Sequence, residues 1–62
     1  MNRHDWRDFY QWLDTADLEE LREKLQKIEA VLPLLRDFEI RGEALKMRHE
    51  IEAELLDQLS RH

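Results

Sequence analysis

Apolar residues recur between positions 18 and 35 at steps of three and four: Leu18, Leu21, Leu25, Ile28, Leu32 and Leu35. That spacing lays six aliphatic side chains along one stripe of an α-helix, whereas a strand would scatter them to both faces. It predicts a helix over 15–35 with a seam that needs a partner. The 3.5-residue average lasts about two and a half heptads, short for an extended coiled coil and suited to a bundle helix. Past Ala30, Val31 and Leu34 add apolar surface outside the seam. Pro33 falls there, and its missing N–H predicts a kink or the beginning of the last turn.

A shorter pattern precedes the seam. Trp6, Phe9, Tyr10 and Leu13 share the spacing of one helical face, which predicts a helix over 5–13 with Asp5 as N-cap. Trp12 points about 60° off that face. A helix this short is marginal in water without tertiary contacts. Two roles are open to Trp6, Phe9, Tyr10 and Trp12: a lid packed over the end of the other helices, or an anchor for another protein, since Trp and Tyr dominate interface hot spots. Asp14 is placed to cap the second helix, with Leu13 and Leu18 at hydrophobic-staple spacing. Glu20 with Lys24 and Glu23 with Lys27 form Glu-first i,i+4 pairs on its surface.

Asp37 is the cap expected for a third helix over 38–60, with Gly42 either inside it or ending the second helix. Two apolar ridges mark this helix. Ile40, Ala44, Met47, Ile51 and Leu55 span an arc of about 80°, while Phe38, Leu45 and Leu56 lie about 100° further round, with Leu59 between. Arg41, Arg48 and Glu52 also lie between the ridges. They either line a groove rim, with their stems covering apolar surface, or set the register of a self-association interface. The stretch LPLLRDFEIRGEA resembles the inter-helix corner of a HEAT-type repeat, which implies an αα-hairpin turning at Asp37 and unable to bury both of its faces alone.

Composition narrows the chemistry. Sixty-two residues make one small domain over 1–62 whose core rarely supplies more than about 3–5 kcal/mol. The absence of cysteine removes disulfides and thiolate chemistry, and leaves oligomerisation as the available staple. Fifteen acids and ten bases are interleaved, giving a net charge of −5. Nucleic acid is therefore disfavoured, although Arg36, Arg41, Lys46 and Arg48 form a locally basic stretch that makes it the alternative partner class. The longest apolar run, Ala30 to Leu35, is too short to span a membrane, and MNRHDWRDFYQW carries acids where a signal peptide would carry an apolar core; a cytoplasmic location is the expectation.

His4, His49 and His62 are scattered, and His49 with Glu52 offers at most two metal ligands per chain. Glu50 and Glu54 face outward without a pocket to perturb them. No catalytic, metal or cofactor site is expected. The sequence thus predicts an all-α fold: an antiparallel helical hairpin preceded by a short aromatic helix, dimerising into a four-helix bundle, with a compact three-helix monomer as the alternative. The interface of that dimer is placed on Phe38, Arg41, Leu45, Arg48, Glu52, Leu56 and Leu59. Its expected function is that of a non-enzymatic adaptor, regulator or inhibitor, binding itself and another protein, the latter through Trp6, Phe9, Tyr10 and Trp12. A structural subunit of a larger assembly would carry the same pattern.

Overall fold

A computed structural model describes residues 2–61. Among these the chain forms three α-helices and no strand: α1 (Arg3–Thr15), α2 (Leu18–Val31), a 3₁₀ turn (Leu32–Leu34) and α3 (Phe38–Ser60). His62, expected to be solvated, lies outside the described residues.

The first two helix starts differ from expectation, α1 beginning earlier and α2 later. α1 is capped by Asn2, whose side chain accepts from the Asp5 N–H at 2.9 Å, so Asp5 is the third helical residue of a capping box and not the cap. Asp14 does not cap α2, because α1 continues through it to Thr15. The cap is Asp17. Its carboxylate accepts from the Glu20 N–H at 2.8 Å while the Glu20 carboxylate accepts from the Asp17 N–H at 3.2 Å, satisfying two donors reciprocally. Glu20 is thereby engaged at the helix start rather than with Lys24, whose ammonium lies 5.5 Å from the centre of the Trp12 ring. Glu23 does pair with Lys27, at 3.7 Å.

α2 ends at Val31, short of Leu35, and gives way to the 3₁₀ turn that holds Pro33. Proline has no N–H to continue the α ladder, so the last turn tightens and closes with the Leu35 N–H donating to the Leu32 carbonyl at 3.2 Å. Asp37 caps α3 as expected, its carboxylate accepting from the N–H groups of Glu39 and Ile40. The hairpin therefore turns at the residue that the HEAT-like corner implies.

The core forms where the three helices meet. Leu21 and Ile51 are fully buried, and Phe9, Leu13, Ala16, Ile28 and Leu32 nearly so. The whole seam from Leu18 to Leu35 is at least half-buried. In α3 the first ridge follows suit through Ala44, Met47, Ile51 and Leu55, with Ile40 left exposed in the first turn. α1 lies along α3 on the other side: Lys46 sits over Trp6 at 4.8 Å, and the Gln58 amide donates to the Ala16 carbonyl at 2.9 Å. That last bond fastens the two-residue α1–α2 corner to the far end of α3.

Gly42 lies inside α3 with ordinary helical backbone, and nothing approaches within 4 Å of the position a Cβ would take. Replacing Gly42 by Ala is therefore expected to stabilise the fold by about 1 kcal/mol. In thermal unfolding this is a rise in Tm of roughly 4–8 °C for a domain of this size.

Candidate functional site

Seven residues of α3, Phe38, Arg41, Leu45, Arg48, Glu52, Leu56 and Leu59, fall within an arc about 80° wide. The arc points away from α1. Its apolar members are open to solvent: Phe38 is 90 % exposed, Leu56 66 %, Leu59 53 % and Leu45 40 %. A helix packed on one side only has no need of large aliphatic residues there.

The strip continues onto the edge of α2 along a shallow groove. Near the hairpin corner, Glu29, Leu32 and Pro33 face Arg41, Leu45 and Arg48; toward the other end, Arg22 and Leu25 face Glu52, Leu55, Leu56 and Leu59. Arg22 and Glu29 were not legible as part of this surface, because only the pairing of α2 with α3 decides which side of α2 borders the strip. Arg48 and Glu52 are both engaged within the helix, the guanidinium Nε lying 3.7 Å from the carboxylate. Arg48 is half-buried beside the groove, as a rim residue with a covered stem would be.

The aromatic residues sit elsewhere and do not act alike. Phe9 belongs to the core and offers no surface while α1 is docked. Trp6 and Trp12 are half-buried against it, at ring separations of 5.7 and 6.0 Å from Phe9. Tyr10 is 40 % exposed, on a shallow surface with Arg7, Gln11, Asp14 and Glu54. Phe9, with Trp6 and Trp12 packed against it, thus closes the core on the α1 side, while Tyr10 is exposed. Trp12, off the common stripe, has the Lys24 ammonium of α2 5.5 Å from its ring centre.

The four basic residues of 36–48 do not form one surface. Lys46 lies over Trp6, about 140° round the helix from Arg41. His4 is paired with Asp8 on the solvent side of α1, at 3.8 Å. Among the described residues, no group of three or more His, Asp or Glu side chains is placed to hold a metal ion, and no helix is long and apolar enough to cross a membrane. Comparison with protein-family models, curated proteins and solved structures finds no match.

Proposed function

We propose that this chain is a non-enzymatic protein–protein interaction module that works as a homodimer. Two α2/α3 hairpins meet through their open faces in a four-helix bundle, and α1 remains on the outside. The observation that carries this reading is the uncovered strip of Phe38, Leu45, Leu56 and Leu59 along one side of α3.

Area supports it. A compact monomer of 7.7 kDa exposes about 4300 Å². This chain exposes 5024 Å², an excess of about 700 Å², close to the roughly 800 Å² that each partner contributes to a standard interface. The molecule is also flat, 38 × 25 × 14 Å, so stacking a second copy on the open face thickens its shortest dimension and gives α3 neighbours on three sides. In such a dimer α1 presents Tyr10, with Arg7 and Asp14 beside it, to a second protein. An aromatic ring flanked by charges is the composition that interface hot spots favour.

The test is a double substitution, Leu45→Asp with Leu56→Asp. Both positions are open in the single chain, so helicity by circular dichroism should be retained. Self-association should weaken by at least about tenfold for each carboxylate forced into the apolar contact. A variant with the mass and dissociation behaviour of the wild type would rule out this face as the interface.

A further inference from the structure

The open face carries its own complement. Along α3 the strip runs from Arg41 and Arg48 to Glu52, basic toward the hairpin corner and acidic beyond its middle, with Leu45 on one side of Arg48 and Leu56 beyond Glu52. A two-fold interface brings each residue i to a residue j and j to i, so its geometry decides which charges meet. With the two α3 helices parallel, Arg41, Arg48 and Glu52 would each face their own counterpart, three like-charge contacts in one seam. With the helices antiparallel about a centre near residue 50, Arg48 faces the partner's Glu52 and Glu52 faces the partner's Arg48. Leu45 then falls against the partner's Leu56, and the stem of Arg41 against the partner's Leu59.

The pairing inside the single chain points the same way. Arg48 precedes Glu52, which is the weaker order for an i,i+4 ion pair because the charges oppose the helix dipole. The separation of 3.7 Å is a long contact for a charge-assisted bond. This pair stabilises α3 little by itself, yet it sits midway along the apolar strip, where a partly desolvated ion pair acts as a register device.

We propose that the second copy docks with its α3 antiparallel, and that Arg48 and Glu52 exchange partners across the two-fold axis to set orientation and register. This rests on the dimer reading above and names the arrangement of that dimer. Along the groove edge Arg22 borders Glu52, and Glu29 borders Arg41 and Arg48, leaving the corner half with two bases to one acid.

The chain contains no cysteine, so one introduced thiol takes a spin label at a single place. Glu39 and Ala53 are both exposed and lie outside the strip. In the antiparallel arrangement the two labels of a Glu39→Cys dimer are offset along the helix axis by about 33 Å, and those of an Ala53→Cys dimer by about 9 Å. Dipolar spectroscopy on the two labelled 62-residue chains, with molar mass recorded on the same samples, separates the outcomes. A Glu39 distance far longer than the Ala53 distance is the expected result. Equal distances at the two sites in a sample of dimeric mass would overturn the antiparallel arrangement and leave the dimer standing. Monomeric mass with no dipolar coupling at either site would overturn both.

Discussion

Replacing Ile51 by Ala should abolish cooperative folding at 25 °C. Ile51 is fully buried, and Leu21 of α2 is the other side chain with no solvent exposure. Truncating a buried Ile to Ala costs about 2–5 kcal/mol, the lost transfer energy plus the cavity left behind. A 62-residue core supplies about 3–5 kcal/mol in total, so the loss is comparable to the whole. The measurement is urea unfolding followed by circular dichroism: the variant should show no native baseline, while Ile40→Ala, at a half-exposed position on the same helix, should unfold close to wild type. A variant at Ile51 with a midpoint near that of wild type would contradict the position of the core.

The second large effect is expected at Phe9. Its ring sits between Trp6, Tyr10 and Trp12 at 5.6–6.0 Å, and it is the aromatic member of α1 that enters the core. Phe→Ala at such a site costs about 3–5 kcal/mol. Here the cost falls mainly on one element. α1 is 13 residues long and held by Phe9, Leu13, the two ammonium–ring contacts and the Gln58 bond to Ala16. A helix of that length is marginal once undocked. Phe9→Ala should therefore shift tryptophan emission to the red and remove roughly the helicity of α1, while the α2/α3 hairpin, if joined to a second copy, persists. Unshifted emission would show that Phe9 does not hold α1 in place.

Much of this architecture was legible along the chain. The 3–4 spacing from Leu18 to Leu35 specified the face of α2 that is buried, and Asp37 marked the start of α3, because both signals are local and nothing distant competes with them. The two ridges of α3 were visible for the same reason, and so was the strip that stays open. The α1–α2 corner was misplaced by three residues because Asp14 and Asp17 are both good caps alone. What separates them is the reciprocal bond to Glu20 and the burial of Ala16, whose carbonyl is taken by Gln58, 42 positions away. Lys24 and Lys46 likewise look like ordinary surface charges until packing brings a tryptophan under each. The roles of the four aromatics depended on how α1 docks, which its own periodicity does not state: the same stripe serves a lid or an anchor, and burial assigns Phe9 to the first.

The central claim is that the open face of α3 belongs against a second copy of the chain. Its most direct test is molar mass by light scattering on the wild-type protein through a dilution series. A mass of about 15 kDa, twice the 7.7 kDa of one chain, that falls toward the single-chain value on dilution is the expected result. A mass of 7.7 kDa at every concentration would contradict it, and would leave Phe38, Leu45, Leu56 and Leu59 exposed in the free molecule.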